Sequence, residues 1–287
     1  MHYVEAKSIL SAQNGLNLYR GCQHGCIYCD ARSQCYQMEH AFEDIAVKEN
    51  GVALLDAALR AKRRPCMIGT GSMSDPYMPL EGQLGLTRRM LETVEKHGFG
   101  VTLLTKSDGV LRDLDIPKRI NERTKAVVQM TLTTWDDSLC RIVEPGVCPT
   151  SRRIAALKAF QAAGIPTVVW LCPILPFLND TEENIRAIVE ACGDAGVKGI
   201  VHFGMGLTLR EGNRKYYYAA LDWHFLGLKE RYIRTYGNAY ELPSPRQGVL
   251  LSLFHRECEK RGIWHNNDTI FRYLHTFEEK TEQLGLF

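Results

Sequence analysis

The chain has 287 residues, of which 45% are hydrophobic, 24% are charged and 9% are aromatic. This composition is typical of a soluble globular protein and excludes disordered, collagen-like and coiled-coil chains. The formal net charge is +2, from 35 basic and 33 acidic residues, so overall charge neither indicates nor excludes nucleic-acid binding.

The sequence predicts neither a membrane span nor an export signal. The most apolar stretch, residues 168–178, is interrupted by Pro173 and Pro176 and is far shorter than the roughly 20 residues that a span requires. No basic stretch followed by an apolar core begins the chain, so we expect a cytoplasmic location. In that setting the 10 cysteines indicate buried thiols and a metal or redox site rather than disulfides.

Predicted strands and helices alternate along the chain. The candidate strands are residues 15–19, 65–71, 99–107, 126–134, 167–172 and 199–203. They lack strict alternation of apolar and polar residues, which favours a parallel sheet covered by helices.

Apolar stripes at helical spacing lie between these strands. Met90, Leu91 and Val94 predict a helix ending at Gly98, and Ile154, Leu157 and Phe160 predict one closed by Gly164. A third stripe runs from Ile185 to Cys192, with Asp180 as its start signal and Gly193 or Gly196 as its end.

These units fall short of the eight in a complete barrel of roughly 250 residues. We therefore predict an α/β fold in which residues 1–206 form an incomplete six-stranded barrel or an open sheet. Residues 207–287 are predicted to be a C-terminal helical extension within one structural domain. Its apolar stripes predict packing on the barrel, through Leu221, Phe225 and Leu228 and through Leu250, Leu253 and Phe254.

A short loop after the first predicted strand carries Cys22, Cys26 and Cys29 in a C-x3-C-x2-C arrangement. A cubane iron-sulfur cluster held by three thiolates leaves one iron open to an exogenous molecule. One alternative is a zinc site with Cys35 as fourth ligand, in a non-catalytic binding module. Another is three thiols that are merely buried, although the polar residues of the loop disfavour a core segment.

Polar residues also follow the later strands, where ligands gather in parallel barrels. The segment from Gly69 to Asp75 offers glycines for close backbone approach and a carboxylate for an ammonium group. Lys106 suits a carboxylate or ribose, and the hydroxyls of residues 131, 133 and 134 suit the same groups. A dinucleotide fingerprint is disfavoured because Ser74 stands where the third glycine belongs.

Several segments together resemble the spore photoproduct lyase-like branch of the radical S-adenosylmethionine (SAM) superfamily. The segments, in the family's order over residues 14–206, are CQHGCIYCDARSQCY, TGSMSDPYMPLE, LLTKS, TLTTWDD, EPG and CPILPFLND. The resemblance implies a partial (βα)6 barrel with a [4Fe-4S] cluster on Cys22, Cys26 and Cys29. It also implies that SAM chelates the fourth iron and is cleaved reductively to a 5'-deoxyadenosyl radical, which abstracts hydrogen from a substrate. SAM contacts are implied for Tyr28, Gly71, Ser72, Ser74, Asp75, Lys106, Thr131 and Thr133.

The resemblance further implies a substrate and an electron donor. The substrate by analogy is a nucleic acid or nucleotide, with a peptide or small metabolite as the alternative, and the donor is a carrier such as flavodoxin or ferredoxin. Tyr28 matches a tyrosine of the family's radical relay and is a candidate catalytic residue. Ser72, however, stands where the repair enzyme of this branch has a hydrogen-donating cysteine, and a serine O–H bond is too strong for that role. Cys66, Cys140, Cys148 and Cys172 are the alternative donors, and Cys172 ends a predicted strand.

Overall fold

A computed structural model describes residues 1–280 of the chain. Its strands are β1 His2–Val4, β2 Gly15–Leu16, β3 Tyr19–Arg20, β4 Ala46–Lys48, β5 Met67–Thr70, β6 Gly100–Thr105, β7 Ala126–Thr131, β8 Thr167–Trp170, β9 Gly199–Val201, β10 Gly206–Thr208 and β11 Glu241–Pro243. Its α-helices are α1 Gly51–Ala61, α2 Glu81–Leu84, α3 Leu86–Lys96, α4 Asp115–Arg123, α5 Asp137–Val143, α6 Thr150–Ala162, α7 Glu182–Asp194, α8 Asn213–His224, α9 Leu228–Tyr236, α10 Gln247–Lys260 and α11 Asn267–His275. None of these described helices has the length and apolarity needed to span a bilayer.

The central sheet has the predicted strands in chain order. Its order is β2-β5-β6-β7-β8-β9, and every pairing is parallel. The carboxyl ends of these strands therefore meet at one edge, as in a parallel α/β barrel. The prediction of a partial six-stranded barrel is confirmed.

Three helices end where the predicted glycines stand, but the start of α7 differs from the prediction. Gly98, Gly164 and Gly196 have φ of +70°, +75° and +63° and follow α3, α6 and α7, where such left-handed residues end helices. The start signal of α7 is Thr181, whose hydroxyl oxygen accepts a hydrogen bond from the Asn184 N–H at 3.1 Å. Asp180, predicted for that role, instead accepts from the Phe177 N–H at 2.7 Å.

Apolar residues of the predicted C-terminal extension are buried in two clusters. Leu250, Leu253 and Phe254 of α10 are buried in the main core beside the sheet strands. Leu221 of α8 is buried in a second cluster with Cys26 and Tyr28. The extension thus contributes to the support of the cysteine loop. Residues 281–287 of the predicted extension lie outside the described part.

The short strands outside the central sheet were not predicted, except that the predicted strand 15–19 ends at Tyr19, which begins β3 rather than continuing β2. β1, β4 and β3 form a second sheet in that order, and β10 pairs with β11 antiparallel. Each of these strands has two or three residues, which is too few to show a period in sequence.

Candidate active site

A cavity of about 510 Å³ lies at the carboxyl ends of the central strands. Residues that end or follow β5 to β9 line it, namely Gly71, Lys106, Thr131, Cys172 and Phe203. Such an edge is where parallel barrels bind ligands, because loops from several strands converge there.

The cysteine loop forms another wall of the cavity, which all three predicted ligand cysteines line. Gly21 precedes them with φ +91°, and a side chain there would clash with the Phe42 carbonyl oxygen, so glycine is required. The Cys22 N–H donates to that same carbonyl at 3.3 Å, and the Cys29 N–H donates to the Cys26 carbonyl at 3.2 Å. These hydrogen bonds connect the start of the loop to the Phe42 segment and form a turn within the motif.

The donor set of this wall favours a cubane over a zinc ion. Cys22, Cys26 and Cys29 all line the cavity, which gives three thiolates for a cluster and leaves one iron open toward it. Cys35, the predicted fourth zinc ligand, is exposed and does not line the cavity. The residues present therefore fit a [4Fe-4S] cluster.

Burial keeps the thiols of Cys22 and Cys26 protonated until a metal binds. Burial, followed by the charge of Asp75, raises the pKa of Cys22 to about 11, and burial raises the pKa of Cys26 well above its usual value. Because only the thiolates bind iron, cluster assembly must release these protons.

Asp75, in the loop after β5, is hydrogen-bonded to residues at the end of β6. Its carboxylate accepts hydrogen bonds from the Thr105 hydroxyl and the Lys106 N–H, both at 2.7 Å, and lies 3.0 Å from His24 Nε2. Burial alone would raise the pKa of Asp75, but His24 and these donors outweigh it and lower the pKa to about 2. Asp75 is thus ionised, and partners from this chain occupy both of its oxygens.

Lys106 and Tyr28 face each other across the floor of the cavity. The Lys106 Nζ lies 5.9 Å from the centroid of the Tyr28 ring. Burial alone would lower the pKa of Lys106, but the Cys26 thiol, when ionised, and the Glu144 carboxylate outweigh burial and raise the pKa. Tyr28 is a packing aromatic that also lines the cavity, and its hydroxyl donates to Glu144.

A buried ion pair supports this floor from behind. Arg153 and Glu144 are both completely buried and pair with each other. Arg153 also donates to the carbonyls of Thr131 at 2.6 Å and Cys148 at 3.1 Å, which connects the end of β7 to the turn after α5. Because Arg153 makes its ion pair and hydrogen bonds to groups of this chain, its role is structural.

The structure brings most of the predicted site residues together. Those lining the cavity are Cys22, Cys26, Tyr28, Cys29, Gly71, Ser72, Ser74, Asp75, Lys106 and Thr131. The Ser74 hydroxyl donates to the Tyr19 carbonyl at 3.0 Å. Thr133 does not line the cavity; its side chain is completely buried, and its carbonyl accepts from Asn179 and Asn184.

Other residues of the cavity were not predicted as site residues. His24 lies within the cysteine motif, and its polar side chain there was the signal that could have indicated a site residue. Trp170 and Phe203 line the mouth, but an aromatic residue near a strand end is indistinguishable in sequence from a core residue. Leu207 of β10 and Leu242 of β11 come from the extension, which carried only a helical prediction.

Comparisons with known proteins agree with this site. The model of the Radical SAM superfamily matches residues 16–192. The "Uncharacterized protein Rv2578c" of Mycobacterium tuberculosis is 30% identical over 246 residues, which are 82% of this chain and 70% of that protein. The "Uncharacterized protein MJ0683" of Methanocaldococcus jannaschii is 34% identical over 181 residues, covering 62% of this chain and 67% of that protein.

A solved structure shows the same fold. A doubly substituted spore photoproduct lyase with bound AdoMet and dinucleoside spore photoproduct matches with a TM-score of 0.67 and 14% identity, covering 92% of this chain and 80% of that one. Enzymes of this superfamily use a [4Fe-4S] cluster and SAM, and the cysteine loop described above fits the cluster. From the matched residues, the fold and the three converging cysteines, we conclude that the chain belongs to the radical SAM superfamily.

Proposed function

We propose that the protein abstracts hydrogen from a nucleic acid or nucleotide held at the mouth of the cavity. When bound, the cluster and SAM supply the 5'-deoxyadenosyl radical that initiates this chemistry. An electron carrier such as flavodoxin or ferredoxin and a cytoplasmic location belong to the same proposal. The residues of this chain hold the cofactors and position the substrate.

An exposed aromatic platform at the mouth carries the proposal. Phe203 is 62% exposed, and its ring lies 5.8 Å from that of Trp170, which lines the cavity with it. The Trp170 Nε1–H donates to Gln129 Oε1 at 2.8 Å, which fixes the indole orientation. An exposed aromatic ring at the mouth of a ligand cavity is typical of surfaces on which unpaired bases stack.

The structural neighbour supports the same class of substrate. Spore photoproduct lyase is described with a dinucleoside spore photoproduct, and this chain shares its fold. Ser72 stands in the segment where the repair enzyme has its hydrogen-donating cysteine, so we do not extend the proposal to photoproduct repair.

Binding of single-stranded DNA tests the substrate class. We expect a fluorescently labelled oligonucleotide to bind at low salt and more weakly as salt rises, because phosphate contacts release counterions. Phe203→Ala should weaken binding by about 1–3 kcal/mol through the loss of one stacked base. The matched control is Trp223→Ala, which removes an exposed aromatic ring outside the cavity and should leave affinity unchanged. No binding even at low salt would contradict the proposal and favour a peptide or small metabolite.

Cys172 is the proposed hydrogen donor to the product radical. Of the described cysteines outside the cluster motif, Cys172 alone lines the cavity. Cys148 does not line the cavity, and its sulfur lies 3.4 Å from the Lys106 carbonyl oxygen. Burial raises the pKa of Cys172 to about 12, so its S–H bond is present at neutral pH. After donation, the sulfur radical takes one electron and one proton, with the electron carrier as the source of the electron.

Deuterium transfer tests Cys172, whose thiol exchanges with solvent. In D2O, turnover with single-stranded DNA should place deuterium in recovered nucleosides, and Cys172→Ala should abolish that transfer while 5'-deoxyadenosine release continues. Cys66→Ala is the control, because Cys66 lies outside the cavity. Undiminished transfer in Cys172→Ala would remove Cys172 from the mechanism.

A further inference from the structure

A cluster of potential metal ligands lies outside the cavity, between the N-terminal strand and the segment before β4. His2, His40 and Asp44 each offer a ligand atom, and these atoms lie within 4.8 Å of one another. His2 Nδ1 lies 3.0 Å from Asp44 Oδ2, and the two imidazole rings meet edge to face with centroids 4.9 Å apart. Two imidazoles and a carboxylate form a donor set that suits borderline divalent cations.

His40 has the hydrogen-bonding pattern of a metal ligand. Its Nδ1 lies 3.0 Å from the Ala41 carbonyl oxygen, which only accepts, so Nδ1 carries the proton. The lone pair is then on Nε2, which is shielded from solvent and has no hydrogen-bond partner. A ligating histidine normally donates its other ring N–H to a carbonyl or carboxylate, as His40 does. A buried acceptor without a partner is unfavourable, and a metal ion would satisfy it.

Asp44 offers a carboxylate oxygen to the cluster. Its Oδ1 pairs with the Met1 amine at 2.9 Å, and its Oδ2, which lies 3.0 Å from His2 Nδ1, is the oxygen that would bind an ion. Its side chain is 42% exposed, which leaves a path for an ion to enter.

We propose that His2, His40 and Asp44 bind one divalent cation of the zinc type, with water in the remaining position. Such an ion would fasten β1 to the segment that contains Phe42. That segment supports the cysteine loop, because the Phe42 carbonyl accepts from the Cys22 N–H and its ring packs near Cys22. The site is separate from the cluster, so zinc binding does not depend on the proposed reaction.

Zinc binding to the cluster-loaded protein tests the site. The protein is prepared anaerobically without a histidine tag, dialysed against Zn²⁺, and analysed for zinc, iron and sulfide. We expect one zinc per chain with iron and sulfide unchanged, and a higher melting temperature with zinc than without it. His40→Gln and Asp44→Asn should each lower zinc affinity at least tenfold and remove the shift in melting temperature.

The chain offers a control in another histidine that pairs with an aspartate. His97 Nε2 lies 2.9 Å from Asp56 Oδ1, and His97→Gln should leave zinc affinity unchanged. Iron content and circular dichroism establish that each variant is folded and loaded. No zinc in the wild-type protein, zinc bound only by displacing iron, or equal affinity in the wild type and His40→Gln would each overturn the proposal.

Discussion

Replacing Arg153 with methionine is expected to lower the free energy of unfolding by about 3–5 kcal/mol, because it removes the cation that is paired directly with the buried Glu144 carboxylate. Both side chains are completely buried. Arg153 also donates to the Thr131 carbonyl at 2.6 Å, so the substitution also removes a hydrogen bond to the end of β7. Urea denaturation followed by circular dichroism measures the loss.

The neighbouring arginine provides the control. Arg152 pairs with Asp108 but is 65% exposed, and exposed pairs contribute about 0–1 kcal/mol. Arg152→Met should therefore change stability little. The double variant Arg153→Met with Glu144→Gln should recover part of the loss, since no unpaired buried charge remains. Equal effects of Arg152→Met and Arg153→Met would contradict the structural role given to this ion pair.

The central sheet and the cysteine loop could be predicted because their signals are local. Val101, Val128 and Val169 lie in runs that are apolar on both faces, which only a covered parallel sheet buries. The motif of Cys22, Cys26 and Cys29 lies within eight consecutive residues, so its spacing can be recognised without any contact between distant residues. The predictions of helix ends were accurate where a glycine with positive φ follows the helix.

The remaining features depend on contacts between distant residues. Thr133 follows β7 just as Thr131 does, but only packing against Asn179 and Asn184 shows that it faces away from the cavity. The link between His24 and Asp75 joins positions 51 residues apart, and no sequence period reports it. Similarly, the pairing of β10 with β11 could not be predicted, because each strand has three residues and so shows no period in the sequence.

The second large effect concerns the cluster ligands themselves. Cys26→Ala removes a thiolate that is 6% exposed on the cavity wall, and two remaining thiolates cannot hold a cubane firmly. We expect loss of the broad absorbance near about 400 nm, loss of most iron and sulfide, and no release of 5'-deoxyadenosine from SAM. Cys35→Ala is the control, since Cys35 is exposed and outside the cavity and should leave all three quantities unchanged.

Electron paramagnetic resonance of the reduced protein, with and without SAM, tests the central claim most directly. A cubane held by Cys22, Cys26 and Cys29 alone has one iron free to bind SAM. The wild-type protein should therefore contain about four irons and four sulfides per chain, and its signal should change on addition of SAM. SAM labelled with ¹⁵N at its amino group should add a hyperfine coupling to the cluster. A spectrum indifferent to SAM, or a colourless protein with stoichiometric zinc on these cysteines, would contradict the account.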